Sequence, residues 1–135
     1  MKKLLLVLTC LFSISIYAQD ANWSTDFEKA LETAKSQNKP ILIYFKDSDH
    51  CDLCKKIEAE VINSPKFSQI SDRVVLVALD NADDSDGVQR KVFHFNKTKT
   101  FPSFVTVDSN GNIMNAVNVF NDETVEEYIG FLKQL

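Results

Sequence analysis

Short runs of consecutive apolar residues predict the strands of this chain. Residues 41–45 and residues 74–79 are apolar and rich in β-branched or aromatic side chains, the pattern of a strand that is covered on both faces. A third strand is predicted at Ser103–Val107 and a fourth at residues 113–120. Asn110-Gly111 lies between the last two strands, and such a pair is typical of a hairpin turn.

Apolar residues at helical spacing precede the first of these strands and predict a helix. Residues 22–38 carry an apolar stripe at intervals of three and four residues, and Lys39-Pro40 ends the pattern. Thr25 and Glu28 have the spacing of a capping box, so the helix is expected to begin beside them.

A second helix is predicted directly after residues 46–52. Cys54, Ile57 and Val61 follow one another at i, i+3 and i+7, which places them on one apolar face of a helix. Cys54 is therefore expected to be buried, whereas Cys51 is expected at the exposed start of the helix. A short turn or helix is predicted to open at Ser64-Pro65, and two further helices are predicted to begin near residues 88 and 122.

The order of these elements, α-β-α-β-α-β-β-α, predicts a single domain of the α/β class. Strands that are separated by helices normally pair in parallel through right-handed crossovers, so the first three strands are expected to be parallel. The hairpin adds an antiparallel strand at the edge. A length of 135 residues, of which 44% are hydrophobic and 25% charged, agrees with one globular domain.

The first 18 residues have the organisation of a signal peptide. Two lysines precede an apolar run over residues 4–17, and Ala18 is a small residue at which signal peptidase could cut. We therefore expect an exported protein, periplasmic or extracellular, whose single domain covers residues 19–135. The alternative is a lipoprotein that carries its lipid on Cys10.

The charge of the chain disfavours two classes of partner. Removal of residues 1–18 leaves 13 basic against 19 acidic residues, so the net charge changes from −4 to −6. An acidic chain without a cluster of Lys and Arg is a poor ligand for nucleic acid or for an anionic membrane surface. The mature form is expected to be a monomer without a membrane span.

Cys51 and Cys54 are the only cysteines that remain after cleavage at Ala18, and their spacing is typical of thiol–disulfide chemistry. A thiol attacks a disulfide as the thiolate, and the start of a helix stabilises that anion. Cys51 is therefore the candidate nucleophile, and Cys54 is the candidate resolving thiol. Neighbouring lysines favour the thiolate and neighbouring aspartates oppose it. Reductase, oxidase and isomerase all stay open as directions, and we favour a reductase.

Other interpretations of the same two cysteines stay open. They could form a purely structural disulfide, although so short a loop removes little chain entropy. His50 could join them around a metal ion, although zinc normally needs four ligands, or three and a water. Two thiolates are sufficient for copper(I), so a copper-handling protein is one alternative and a non-catalytic binding module is another. The leading interpretation needs no cofactor and no metal.

The order of motifs resembles that of the thioredoxin-like superfamily, in particular its exported bacterial members with a CxxC motif. In chain order, the shared features are Tyr44-Phe45, the segment from Cys51 to Lys56, Phe101-Pro102-Ser103-Phe104 and Asn110-Gly111. The resemblance implies a thioredoxin fold, with a mixed sheet of four or five strands flanked by helices. It also implies a thiol–disulfide oxidoreductase that acts on protein substrates bearing disulfides or thiols and exchanges electrons with a redox partner protein.

The same resemblance implies the substrate-binding residues. Pro102 would be a cis-proline that faces the cysteine pair, and the backbone of Phe101 would bind an extended segment of the substrate. His50 precedes the nucleophile and is the third candidate. Two of these positions depart from the family, because many relatives have Trp in place of His50 and a smaller residue in place of Phe101.

A third departure concerns the proton of Cys54. Many relatives have a buried acid on the central strand that accepts this proton, whereas Tyr44 and Phe45 stand in that region here. The candidate substitutes are Lys46, Asp47 and Glu58.

Overall fold

The computed structural model describes residues 21–118, 130, 131 and 134. The helices are α1 (Phe27–Gln37), α2 (Asp52–Ile57), α3 (Pro65–Ser71) and α4 (Asp86–Phe95), and a π-helical segment, Glu58–Ile62, continues α2. The strands are β1 (Ile41–Lys46), β2 (Val75–Asp80), β3 (Ser103–Val107) and β4 (Ile113–Asn118). The signal-peptide region with Cys10, the end of the predicted fourth strand and most of the predicted C-terminal helix lie outside the described residues.

The strands form one mixed sheet in the order β2-β1-β3-β4. β1 and β2 are parallel, as predicted, but β3 is antiparallel to β1, so the prediction of a third parallel strand is wrong. The reason is that the segment containing α4 returns to the end of the sheet from which it left, where Ser103 pairs with Phe45. The loop after β1, the loop after β2 and the residues before β3 therefore meet at one edge of the sheet.

The start of α1 also differs from the prediction. The helix begins at Phe27 with Asp26 as its N-cap, whose carboxylate accepts the Lys29 N–H at 3.1 Å, so the predicted capping box is wrong. Ser24 instead pairs with the edge of β2, because its N–H donates to Leu76 and its carbonyl accepts from Ala78, both at 2.9 Å. This strand-like pairing keeps the residues before Asp26 out of the helix.

Two apolar cores cover the two faces of the sheet, since side chains of a strand alternate between faces. On one face, Leu42 and Tyr44 pack against α2, the π-helical segment and α3. On the other face, Ile43 and Phe45 pack against α1 and α4. The run predicted from residues 41–45 is thus buried on both sides. Among the described residues, no helix is long and apolar enough to cross a bilayer.

Candidate active site

The cysteine pair lies where the loop after β1 enters α2. Cys51 is the N-cap of this helix, and its Sγ accepts a hydrogen bond from the Cys54 N–H at 3.0 Å. The two cysteines form a disulfide. Cys51 is partly exposed, whereas Cys54 is only 3% exposed, as its place on the apolar face predicts. One cysteine of the pair is therefore partly open to another molecule, and the other is covered.

The loop before the cysteines is held by the carboxylate of Asp47. One oxygen of this carboxylate accepts the N–H groups of Asp49 and His50, each at 3.2 Å, and the other accepts the side-chain amide of Asn81 at 3.0 Å. Burial of the carboxyl opposes its ionisation, but the hydrogen bonds from Asn81, His50 and Asp49 outweigh this and lower the pKa of Asp47. Asp47 is thus an acceptor that is already engaged, and it stabilises the loop.

Asp80, at the end of β2, makes a second set of bonds to the same loop. Its carboxylate accepts the N–H of Ser48 and the N–H of Ala82, each at 3.0 Å. Here too burial acts against ionisation, and the hydrogen bonds from Ser48 and Ala82 lower the pKa of Asp80. These hydrogen bonds consequently join the loop after β1 to the loop after β2.

Sequence reasoning missed the role of Asp80 and Asn81 in this site. The available signal was their position, because both follow a strand predicted to lie parallel to β1. The carboxyl ends of neighbouring parallel strands lie at the same edge of a sheet, so these side chains could have been expected beside the cysteine loop.

A polar cluster around the buried Tyr44 lies on the α2 side of the sheet. The hydroxyl of Tyr44 is 3.4 Å from the Cys54 carbonyl oxygen and 3.4 Å from a carboxylate oxygen of Glu58. Lys46 Nζ is 3.7 Å from Glu58 and 3.9 Å from Asp80. Burial, and secondarily the charge of Glu58, raise the pKa of Tyr44 well above its ordinary value, so its phenol stays a hydrogen-bond donor.

The structure thus separates the three candidates for the proton acceptor. Lys46 and Glu58 lie in this cluster together with Tyr44, whereas Asp47 is engaged by the backbone of its own loop and by Asn81.

His50 is the most exposed of the predicted site residues. Its side chain is 83% exposed, and its Nδ1 lies 3.5 Å from the Asp47 carboxylate. The two groups form an ion pair when the imidazole is protonated. Among the described residues, no three His, Cys, Asp or Glu side chains are grouped as ligands for a metal ion.

Pro102 lies at the same edge of the sheet as the cysteine loop. The Phe101–Pro102 peptide is cis, as the resemblance implies, and Pro102 is buried. Ser103, which follows it, pairs with Phe45 at the end of β1. The side chain of Phe101 packs against the core on the α1 and α4 side. The binding of substrate by Phe101, Pro102 and His50 stays a prediction.

Comparisons with known proteins agree on one family. Residues 22–109 match the family model described as thioredoxin-like. The thioredoxin-related protein DsbJ of Chlamydia pneumoniae is 33% identical over 76 residues, which is 50% of this chain and 22% of the relative. The chain therefore spans only about a fifth of the length of this curated relative.

Three solved structures share the fold. DsbH oxidoreductase superposes with a TM-score of 0.72 at 23% identity, covering 84% of this chain and 82% of the other. The oxidised C-terminal domain of Neisseria meningitidis DsbD superposes with a TM-score of 0.64 at 22% identity, covering 84% of this chain and 98% of the other. A thioredoxin from Thermus thermophilus superposes with a TM-score of 0.68 at 19% identity, covering 84% of this chain and 86% of the other. The predicted fold class is confirmed, with four strands in the part of the chain that the structure describes.

Proposed function

Because the chain belongs to the thioredoxin-like family, we propose that it is a thiol–disulfide oxidoreductase that reduces protein disulfides. The observation that carries this proposal is the asymmetry of the cysteine pair. Cys51 is partly exposed and its sulfur accepts the Cys54 N–H at 3.0 Å, whereas Cys54 is 3% exposed. A purely structural disulfide does not require one partly exposed cysteine whose sulfur accepts a hydrogen bond from the backbone.

The reaction begins with the reduced pair. The Cys51 thiolate attacks one sulfur of a substrate disulfide, a bond forms between the two sulfurs, and the other substrate sulfur leaves as a thiolate. Cys54 then attacks Cys51 as a thiolate, which forms the Cys51–Cys54 disulfide and releases the second substrate sulfur. The substrate gains two electrons, and the cysteine pair loses them. A redox partner protein returns the pair to the dithiol.

Opposing charges around Cys51 support the reducing direction of this proposal. Strong oxidants owe their high potential to a stabilised reduced form. Here the sulfur of Cys51 accepts a hydrogen bond from the Cys54 N–H, which favours the thiolate. The neighbouring carboxylates of Asp49 and Asp52 oppose a negative charge on this sulfur. Lys55, which would favour the thiolate, pairs with Asp52 at 3.2 Å. These opposing charges favour a reducing rather than an oxidising pair.

Substrate binding and location complete the proposal. An extended segment of the substrate pairs with the backbone of Phe101 beside Pro102, and His50 contacts it next to the nucleophile. Residues 1–18 direct the chain out of the cytoplasm, to the periplasm or the exterior. The substrates are exported proteins with disulfides or thiols.

Trapping of the mixed disulfide tests this function. In Cys54→Ser, Cys51 can still attack a disulfide, but the resolving thiol is absent, so covalent complexes with substrate proteins are expected to accumulate. Non-reducing electrophoresis of the purified variant, incubated with an oxidised disulfide protein such as insulin, detects them. Cys51→Ser, which keeps the buried thiol only, is the matched control and is expected to trap nothing. Absence of adducts with Cys54→Ser, or equal trapping by both variants, would contradict the proposal.

A further inference from the structure

The loop between α4 and Pro102 is held by a buried asparagine. Asn96 follows the last residue of α4 and is only 2% exposed, although asparagine is mostly a surface residue. Its side-chain amide donates to the carbonyl oxygen of Thr100 at 2.9 Å, and its side-chain oxygen accepts the hydroxyl of Thr98 at 3.2 Å. These bonds replace the water that the amide loses on burial. Asn96 therefore ties the loop to the end of α4.

The backbone of Asn96 makes further bonds that hold the same loop. Its N–H donates to the carbonyl of Val92 in the last turn of α4 at 2.9 Å, and its own carbonyl accepts the N–H of Lys99 at 3.1 Å. Lys99 has a φ of 52°, in the left-handed region that residues other than glycine rarely adopt. Such a conformation persists where the surrounding contacts hold it, and it is frequent in segments that bind a ligand. The loop is thus held in one conformation at a cost in backbone energy.

The bond between Asn96 and Thr100 sets the direction of the next backbone donor. The peptide between Thr100 and Phe101 is trans, whereas the one between Phe101 and Pro102 is cis. In a planar trans peptide, the carbonyl and the N–H of the following residue point in opposite directions. Since the Thr100 carbonyl points at Asn96, the N–H of Phe101 points away from this buried side chain. Proline has no N–H, so Phe101 supplies the last backbone donor before β3.

This donor lies at the same edge of the sheet as the cysteine pair. Ser103, two residues further along the chain, pairs with Phe45 near the end of β1. The loop that carries Cys51 begins where β1 ends. A substrate segment that reaches Cys51 at this edge is therefore expected to pass the backbone of Phe101.

We propose that Asn96 is a positioning residue for protein substrates, because it orients the Phe101 N–H with which an extended substrate segment pairs. This inference rests on the proposed function and names what the site selects. The preferred substrate is a disulfide in an extended stretch of polypeptide, whose carbonyl accepts the Phe101 N–H, rather than a small disulfide. Asn96 acts through the peptide between Thr100 and Phe101, so it contributes to substrate affinity and not to the reactivity of Cys51.

Kinetics with a protein disulfide and with a small disulfide test this assignment. Asn96→Ala removes both side-chain bonds, so the peptide between Thr100 and Phe101 can rotate away from the orientation that pairing needs. KM for insulin, with dithiothreitol as the electron source, is expected to rise about 3- to 10-fold, the equivalent of one lost hydrogen bond, while kcat stays within about twofold. The rate constant with dithiobis(nitrobenzoate), which offers no peptide segment to pair, is expected to stay within about twofold of the wild type.

Two further variants separate this role from general stability. Thr98→Val keeps the shape of the side chain and removes the donor that holds the Asn96 amide, so a smaller rise in KM for insulin is expected. It also provides the test if Asn96→Ala does not fold. Asn112→Ala is the matched control, because the Asn112 amide also donates within a turn, to Asp108 at 2.9 Å, but this turn follows β3 at the other end of the strand. It is expected to leave both reactions unchanged.

The outcomes separate this inference from the proposed function. A wild type that does not accelerate the reduction of insulin would contradict the proposed function itself. If the wild type reduces insulin, the positioning role of Asn96 alone is overturned by either of two results. One is an unchanged KM for insulin in Asn96→Ala and Thr98→Val, and the other is an equal slowing of the reactions with insulin and with the small disulfide.

Discussion

Cys51→Ser is expected to reduce the rate at which the protein catalyses insulin reduction by dithiothreitol to the uncatalysed background. Cys51 is the partly exposed cysteine of the pair, and a serine hydroxyl does not attack a disulfide at neutral pH. The remaining Cys54 is 3% exposed and cannot replace it as the nucleophile. The precipitation of reduced insulin chains, followed by turbidity, measures the rate.

Asp49→Asn is the control for this loss. Asp49 lies in the same loop and is exposed, and its substitution changes a charge next to the pair without removing a sulfur. Its activity is expected to stay within about tenfold of the wild type, because one exposed charge contributes at most about 1 kcal/mol. Substantial activity in Cys51→Ser, with its fold verified by circular dichroism, would show that Cys51 is not the nucleophile.

Phe45→Ala is expected to lower the free energy of unfolding by about 3–5 kcal/mol, the cost of removing a fully buried aromatic side chain. Phe45 is 0% exposed and packs in the core between the sheet and the helices α1 and α4. It is paired with Leu79 on one side and Ser103 on the other, so the cavity would open at the end of β1 from which the active-site loop leaves. Because small domains are stable by only about 5–15 kcal/mol, this is a large fraction of the total.

Urea denaturation, followed by circular dichroism, measures this effect. Phe93→Ala is the matched control, since Phe93 is 53% exposed and its ring contacts Lys99. It is expected to cost about 1 kcal/mol or less. Similar midpoints for the two variants would contradict the assignment of Phe45 to the core.

The strands were predictable because a strand that is buried on both faces is a continuous run of apolar residues in the local sequence. The run at residues 41–45 is apolar throughout, and the structure buries it on both faces. The direction of β3 is not a local property, because it depends on where the segment with α4 ends in space. The start of α1 was missed for a related reason. Ser24 pairs with β2, and that contact competes with a helix that the local pattern allowed.

The candidate site also has features that the local sequence predicts and features that it does not. Cys51 and Cys54 were recognisable from their spacing, and the buried position of Cys54 followed from helical periodicity. The contact between Tyr44 and Glu58 was not predictable, since it joins β1 to a helix across the core. In the sequence Tyr44 looks like one more apolar core residue, and its hydroxyl gains importance only when the Cys54 carbonyl and the Glu58 carboxylate are placed beside it.

The equilibrium of the Cys51–Cys54 pair with glutathione tests the central claim most directly. The protein is incubated in buffers with graded ratios of reduced to oxidised glutathione, quenched with acid and alkylated, and the reduced fraction is measured by mass spectrometry. We expect a reduction potential near that of thioredoxin, about −270 mV, which suits a reductase that cycles with a partner. A potential near about −120 mV would indicate an oxidant, and a disulfide that stays closed at every ratio would indicate a structural bridge; either result would contradict a disulfide reductase.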